Sequence, residues 1–315
     1  ANGLNANDGI LGPHREKEGS FYALREIFSP IRLSLPAQLP ADFNGQIPID
    51  NRFHFLNANQ CTYHWALVDF SKPFDRFDGY QLRQKGTITS PNIAAGQKGT
   101  LALQLPEGYR NYDALIIVVK DNFGKELYKW TAEIKSKEEQ IRGFVTSKKD
   151  STFIRETDTL YTLTGGEVSI MLDKKSGNLF TTKNTANDYV LSFNNGPVLV
   201  KGTAALSSSR AYREGDEVVA EFNYTGNLKY TRWRMNSSGW ASLEYEYSNE
   251  GDLPFTGISF SYPENYVLGS RWLGKGPSRQ WKNRLAGTPV NVWQNVYNNT
   301  HTGYAAHIYP EFKGY

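Results

Sequence analysis

Alternating apolar and polar residues are the main pattern of the first half of the chain after Ser29. Such alternation predicts strands with one buried face, whereas a continuous apolar run is typical of a strand buried on both faces. The alternating segments are Ile31–Leu35, Phe53–Phe55, Tyr63–Leu67 and Thr100–Leu105, and the continuous run is Ala114–Val119. About seven short strands without a long helical pattern between them predict an immunoglobulin-like sandwich over residues 29–135.

The second half of the chain continues the strand pattern. Glu167–Asp173 alternates and meets the turn Lys174–Gly177, where glycine suits a positive φ. A second turn, Asn236–Gly239, separates Tyr230–Met235 from Trp240–Tyr247. These strands place aromatic residues and leucine on one face and Arg, Ser and Glu on the other, which suits a wide sheet that is wet on one side. The expected fold class is therefore all-β.

Two segments depart from the strand pattern. Ser20–Phe28 is predicted to form a short amphipathic helix with Ser20 as its N-cap. The arm that carries it is too small for a core of its own and must pack on another part of the protein. Lys135–Lys149 is dense in charge and poor in core residues, and we interpret it as a solvated linker rather than a functional basic patch.

Composition narrows the class of protein. The 315 residues include 35 Lys and Arg against 32 Asp and Glu, so the formal net charge is +3. This length suggests about two domains. Near-balanced charge without a basic block gives no indication of nucleic-acid binding, and no apolar run is long enough to span a membrane. The single cysteine, Cys61, excludes an internal disulfide framework. The compartment stays open, with a periplasmic or secreted location slightly favoured over the cytoplasm.

Common catalytic motifs are absent or weak in the sequence. There is no nucleophile elbow, P-loop or dinucleotide glycine pattern. Cys61 is interpreted as a buried bystander rather than a nucleophile. His301 and His307 are weak evidence for a metal site. Asn249-Glu250 superficially matches the pair that carries the acid/base in many retaining glycosidases, but a turn is the favoured interpretation.

The densest unusual stretch is Ser270–Arg284, which contains two tryptophans and three arginines in a Gly/Pro-rich loop. Such a loop could stack on sugar faces and bind hydroxyls. It could equally be a structural clasp, with Trp272 in the core and the arginines paired to acids. From the residues alone, the clasp is favoured.

This stretch also resembles a known family. Trp272–Arg284, followed by Trp293, is similar to the signature Trp-Leu/Phe-Gly-x-Gly-Pro-x-Glu-x-Tyr-x-Asp-Arg…Trp of family-2 β-galactosidases. In that family the signature lies in a C-terminal β-supersandwich with the galactose-mutarotase-like fold. Further segments match in order: the hairpin Asp173–Phe180, the strands Tyr230–Tyr247 and Pro254–Tyr262, and an arm, Asp8–Leu11 with Arg15 and Tyr22–Ile27, that resembles the end of the catalytic (β/α)₈ barrel.

The resemblance implies a domain organisation and a role. The expected parts are the tail of a catalytic barrel (1–28), an immunoglobulin-like sandwich (29–135), a linker (136–150) and a β-supersandwich that is expected to be incomplete (151–315). Both catalytic glutamates of the family would precede this chain, so the resemblance implies an inactive portion of a retaining β-galactosidase. That portion would support the barrel and shape the mouth of the active site. The alternatives are a carbohydrate-binding module and a purely structural oligomerisation domain.

The resemblance also yields candidate residues and partners. No catalytic residue is expected in this chain, and the candidates for substrate binding are Trp272, Arg279, Trp281, Arg284 and Trp293. Arg279, Trp281 and Asn283 replace the family's usual Glu, Tyr and Asp, which weakens any transfer of polar roles. Asp8 stands where some relatives have a sodium-binding Asn. No cofactor is expected here, and magnesium and sodium are candidate ions of the parent enzyme. The expected partners are the barrel, a β-galactoside or oligosaccharide, and a second copy of the chain.

Overall fold

Antiparallel strands make up most of the protein, which confirms the all-β class. The computed structural model describes residues 10–11, 15, 17, 19–73, 75–145, 151–187, 190–191, 193–253, 255–277 and 285–297. The chain forms two compact units, one comprising residues 1–140 and 268–315 and the other comprising residues 141–267. No helix among the described residues is both long and apolar enough to cross a bilayer.

The first unit contains a two-layered sandwich of seven strands, as the sequence predicted. One sheet has the order β1-β2-β5 and the other β4-β3-β6-β7. The strands are β1 (Ile31–Leu33), β2 (Gln46–Asn51), β3 (Thr62–Phe70), β4 (Tyr80–Ile88), β5 (Lys98–Ala102), β6 (Ala114–Lys120) and β7 (Glu126–Glu133). The core lies between the sheets, where Ile47, Ile49 and Leu101 of one pack with Leu67 and Ile117 of the other.

Phe53–Phe55 does not form the strand that its alternation suggested. The buried side chain of Asn51 accepts a hydrogen bond from the Phe53 amide at 3.1 Å, which turns the chain directly after β2. A polar side chain that captures a nearby backbone N–H competes with the sheet ladder, and here it ends the strand.

Two short helices flank this sandwich in sequence. Helix α1 (Gly19–Ile27) confirms the predicted helix, although it begins one residue before the proposed cap Ser20. Helix α2 (Lys137–Val145) lies where we predicted a linker. Its start is a capping box: the Ser136 amide donates to the Glu139 carboxylate, and the Glu139 amide donates to the Ser136 hydroxyl.

The second unit packs a five-stranded sheet on a four-stranded one. Their orders are β12-β11-β10-β9-β8 and β14-β15-β16-β17, and β13 pairs separately with β18. These strands are β8 (Thr152–Glu156), β9 (Leu160–Gly165), β10 (Val168–Asp173), β11 (Leu179–Asn184), β12 (Val190–Leu191), β13 (Asn194–Leu199), β14 (Ala204–Glu214), β15 (Glu217–Gly226), β16 (Leu228–Met235), β17 (Ala241–Tyr247) and β18 (Ile258–Ser261). The core of the unit includes Leu163, Leu172 and Phe222.

Both predicted hairpin turns of the second unit are present. Gly177, between β10 and β11, has φ +77°, and Gly239, between β16 and β17, has φ +81°. Glycine adopts this left-handed region at little cost, which is why these two turns were recognisable in the sequence.

The last two strands return to the first unit. They are β19 (Gly269–Lys275) and β20 (Val290–Val296), and they pair with each other along their whole length. The hairpin thus belongs to the same compact unit as the sandwich, whereas the sequence analysis placed it with residues 151–315. The proposed domain boundaries themselves stay a prediction.

The hairpin explains why β6 is apolar on both faces. Ala114 and Ile116 of β6, with Val68 and Phe70 of β3, form a second apolar cluster with Val292 of β20. A strand covered by the other sheet on one face and by a hairpin on the other has no wet face.

Arg271 fastens the hairpin to the loop between β3 and β4. Its guanidinium donates to the Asp75 carbonyl at 2.7 Å, to the Ser71 hydroxyl at 2.9 Å and to the Phe77 carbonyl. Its Nε also lies 2.9 Å from the Asp78 carboxylate. The loop is therefore bound through its backbone as well as through charge.

Candidate functional site

Trp272 and Trp293 lie directly opposite each other on β19 and β20. Directly opposed residues of antiparallel strands share one face, so the hairpin presents two indoles on the same side. Both side chains are partly buried. The Trp272 indole donates to the Lys275 carbonyl at 3.2 Å, and that of Trp293 donates to the Gly274 carbonyl at 3.1 Å. Both indole N–H groups are thus used within the hairpin, and neither ring belongs to a hydrophobic core of the described residues. Sugar binding through the ring faces stays a prediction.

A cavity of about 210 Å³ lies beside Trp293 in the first unit. Its described lining residues are Tyr22, Arg25, Glu126, Tyr128, Lys129, Pro277, Gly287, Pro289 and Trp293. Gly276 packs closely on the Trp293 ring, because a Cβ added there would lie 2.6 Å from the ring atom Cδ1. The backbone after β19 therefore holds this indole against the cavity.

Helix α1 supplies the charged wall of the cavity. Arg25 donates to the Leu127 and Glu126 carbonyls at 3.2 and 2.7 Å and forms a 3.0 Å ion pair with the Glu126 carboxylate. Arg25 thereby attaches α1 to both the backbone and a side chain of β7.

Glu26 makes the second attachment of the helix. Its carboxylate accepts hydrogen bonds from the Tyr128 hydroxyl at 2.7 Å and from the Gly287 amide. Burial raises the pKa of Tyr128, and the hydrogen bond to Glu26 raises it further. The phenol is therefore a fixed donor at neutral pH, and one carboxylate joins α1, β7 and the segment before β20.

Carboxylates are scarce in the described lining of this cavity. Retaining glycoside hydrolysis uses two carboxyl groups about 5 Å apart. Among the described lining residues, Glu126 alone carries a carboxylate, and it is paired with Arg25. Its neighbours are aromatic rings, prolines and two basic side chains.

The other candidates from the sequence are distributed as follows. Arg279, Trp281, Arg284 and Asp8 lie outside the described residues, as do His301 and His307. Within the described ranges, no group of three or more His, Cys, Asp or Glu side chains could hold a metal ion.

Cys61 is buried, as predicted, and the Asn249-Glu250 pair lies in a loop. Cys61 is only 2% exposed, and burial, with a smaller contribution from Asp121, raises the pKa of its thiol to about 11. Such a thiol is almost wholly protonated at neutral pH and is a poor nucleophile. Asn249 and Glu250 follow β17 in a segment without regular structure, where the Asn249 amide donates to the Thr256 hydroxyl.

The sequence analysis missed Arg25, Glu26 and Tyr128. Their signal was present but ambiguous: two adjacent charges on the predicted helix, and a tyrosine in an alternating segment. Pairings between residues about 100 positions apart have no local pattern, so only the fold brings them together.

Comparison with known proteins gives a weak structural likeness. No family model and no curated protein matches the chain. Among solved structures, the exo-chitosanase CsxA of Amycolatopsis orientalis aligns at 11% identity over 75% of this chain and 29% of that one, with a TM-score of 0.25. A complex of a variant of the same enzyme with PNP-beta-D-glucosamine aligns at 12% identity and a TM-score of 0.26. The chain thus spans less than a third of the length of CsxA, and likeness at this level assigns neither family nor activity.

Proposed function

We propose that this chain is a non-catalytic portion of a retaining family-2 glycoside hydrolase, most like a β-galactosidase, and that it anchors and supports a catalytic barrel. The attachment of helix α1 carries this proposal. The sequence of α1 resembles the passage by which that family's chain leaves its barrel, and Glu26 of α1 is bonded to both Tyr128 and Gly287.

The energetics of α1 favour an anchoring role. A nine-residue helix is marginal in water on its own, because isolated helices shorter than about 12–15 residues gain too little to offset nucleation. Here Arg25 and Glu26 supply four hydrogen bonds to β7 and one to the segment before β20. A helix continuous with a barrel would transmit that attachment to the barrel.

The cavity chemistry agrees with a supporting role. Arg25, the charged residue of α1 that lines the cavity, is bonded to β7, and the Glu126 carboxylate forms an ion pair with it. Neither arrangement supplies the free acid and nucleophile that the proposed reaction requires. Cleavage of a terminal β-galactoside is therefore attributed to the barrel of the parent enzyme.

The first test is hydrolysis by the chain alone. Purified chain is incubated with p-nitrophenyl β-galactoside and p-nitrophenyl β-glucosaminide, and the release of nitrophenol is followed. We expect no release above the buffer rate. Turnover at an enzyme-like rate would contradict the proposal, because the chain would then contain its own catalytic groups.

The second test uses the full-length protein that the gene encodes, which includes this chain. We expect Glu26→Ala to lower the temperature at which that product loses glycosidase activity, while kcat at room temperature stays unchanged. Glu107→Ala, an exposed glutamate on the same sandwich, is the matched control. An unchanged inactivation temperature in Glu26→Ala would remove the anchoring role, and a product without glycosidase activity would remove the assignment to a hydrolase.

Sugar binding at the Trp293 cavity is the second candidate function. An indole beside Arg25 and Glu126 is a suitable setting for a pyranose ring. The volume of about 210 Å³ is below the roughly 300–1,000 Å³ of typical ligand pockets, so at most a single sugar unit would fit. A galactose titration followed by tryptophan fluorescence tests it, and a response that Trp293→Phe leaves unchanged in size and midpoint would contradict binding at this cavity.

A further inference from the structure

An open groove lies on the sandwich of the first unit, on the side away from β7. Strand β4 ends one sheet and β5 ends the other, so each pairs with a neighbour on one side only. The loop Thr89–Gln97 joins these two edge strands. The space between them is about 980 Å³, at the upper end of the range for ligand-binding clefts.

A tryptophan forms the inner wall of the groove. Trp65 of β3 packs partly on the sandwich core and also lines the groove. It lies opposite Gly86 of β4, and a Cβ added to Gly86 would stand 2.7 Å from the indole ring. Because Gly86 has no side chain, the indole of Trp65 can extend to the edge of the sheet at β4. The indole N–H forms no hydrogen bond with the described residues, although its nitrogen packs against Gly86.

The rim of the groove is polar and almost uncharged. Thr87, Gln97, Lys98 and Thr100 line it and are exposed, and their side chains form no hydrogen bond or ion pair with the described residues. Lys98 is the one ionisable side chain among the described lining residues. Hydroxyl, amide and ammonium groups around an aromatic wall are suited to bind a polyhydroxylated ligand.

Hydrogen bonds from residues of the sandwich hold the loop Thr89–Gln97 in place at one end of the groove. The amide of Asn51, which is fully buried, donates to the carbonyls of Ile93 and Ala94 at 2.9 and 3.1 Å. Asn57 accepts from the Ile93 amide at 3.1 Å, and the Ser90 hydroxyl donates to the Cys61 carbonyl at 2.7 Å. A loop fixed at several points loses little entropy when a ligand binds, which favours a preformed site.

We propose that this groove binds a segment of a neutral oligosaccharide, with one sugar ring against Trp65 and its hydroxyls bonded to the rim. The competing occupant is a peptide that pairs with β4 or β5 as an added strand, because both are edge strands. The exposed Arg83 and Lys85 on β4 are the kind of charged side chains that protect an edge from strand pairing. The inference does not rest on the proposed hydrolase, because the groove would attach a glycan whether or not a barrel is present.

The test is calorimetric titration of the whole chain with four probes. These are the tetrasaccharides of β-1,4-galactan, cellulose and chitin, and tetragalacturonate as the charged comparison. We expect saturable binding of at least one neutral tetrasaccharide with a micromolar to millimolar Kd. Tetragalacturonate should bind no more tightly than the best neutral probe.

Paired variants assign the binding to the groove. Gln97→Ala combined with Lys98→Ala removes two exposed rim side chains, and we expect the Kd to rise at least about tenfold. Trp65→Phe keeps an aromatic ring in the core but removes the N–H and part of the stacking face, and it should weaken binding severalfold. Lys85→Ala removes a charge from β4 outside the groove and should leave the Kd unchanged.

Three results would overturn the inference. They are no binding of any neutral tetrasaccharide at millimolar concentration, binding that the rim variant leaves unchanged, and a preference for tetragalacturonate that Lys98→Ala abolishes. Because Trp293→Phe should leave this binding intact, the groove is distinguished from the Trp293 cavity. Because the readout is binding by the chain alone, its outcome is independent of the glycosidase assays.

Discussion

At the scale of single residues, Asp113 shows how the sandwich accommodates a buried charge. Its carboxylate is 1% exposed and accepts hydrogen bonds at 2.8 Å from both Lys72 and Lys135, and one at 3.0 Å from the Phe70 amide. Burial alone would raise the pKa of Asp113, but the two lysines outweigh burial and hold the pKa below its usual range. A buried carboxylate with three donors remains ionised in the folded protein.

Asp113→Asn should lower the stability of the first unit and reduce its dependence on pH. We expect the free energy of unfolding at pH 7 to fall by about 2 kcal/mol, because two charge-assisted bonds are lost while the lysines stay partly solvated. Since the folded pKa lies below the unfolded one, the unfolded chain binds the proton first. In the wild-type protein, the contribution of Asp113 to the free energy of unfolding is thus fully present above about pH 4 and is lost as the pH falls through the folded pKa.

Urea unfolding of the variant and of wild type, repeated from pH 7 down to pH 3, measures this effect. The exposed Asp42→Asn is the control and should track wild type. If Asp113→Asn loses stability toward low pH as steeply as wild type does, the acid sensitivity comes from other carboxylates.

At the scale of elements, the turn between β10 and β11 combines a backbone requirement with a packing requirement. Gly177 has φ +77°, and a Cβ added there would lie 1.9 Å from the Tyr224 hydroxyl oxygen. Gly215, in the turn between β14 and β15 of the same unit, has φ +60° but no atom within 4 Å of an added Cβ. The two glycines thus separate backbone strain from steric overlap.

Gly177→Ala should destabilise the second unit by about 3 kcal/mol and Gly215→Ala by about 1 kcal/mol. The smaller loss is the cost of a positive φ for alanine, and the excess at position 177 is the overlap with Tyr224. Chemical denaturation followed by fluorescence gives both values. Adding Tyr224→Phe to Gly177→Ala removes the overlapping oxygen and should recover part of the loss; a double variant less stable than Gly177→Ala would argue against overlap as the cause.

The elements also show which parts of the fold could be predicted. The strand that includes Ala114–Val119 and the turns at Gly177 and Gly239 follow from local pattern, because hydrophobic period and glycine placement act over a few residues. Helix α2 was missed although Ser136 and Glu139 form a recognisable capping box. The place of the β19–β20 hairpin was not predictable, since the contacts of Val292 and Arg271 join residues about 200 positions apart.

The same distinction holds for the candidate site. Trp272 was found because two tryptophans stand out in Ser270–Arg284, and Trp293 was found through the family resemblance; the structure brings these two opposite each other. The attachment by Arg25 and Glu26 and the groove at Trp65 were not found. Each depends on which strands become neighbours or edges, and that information is not contained in a short window of sequence.

At the scale of the whole molecule, the two compact units have separate hydrophobic cores. Separate cores of this size commonly unfold as separate cooperative units. Calorimetry should therefore resolve two transitions. We expect Asp113→Asn to lower the midpoint of one transition and Gly177→Ala the midpoint of the other. If both variants shift one shared transition, the two cores unfold as a single cooperative unit.

The return of the chain to its first unit has a consequence during synthesis. Val292 covers the outer apolar face formed by Val68, Phe70, Ala114 and Ile116. At about 5–20 residues per second, a ribosome needs roughly 10–35 s to travel from the end of β6 to position 292. Throughout that interval this apolar face of the nascent sandwich is exposed to solvent. Until β20 is made, the unfinished chain is therefore more prone to aggregate than the complete protein.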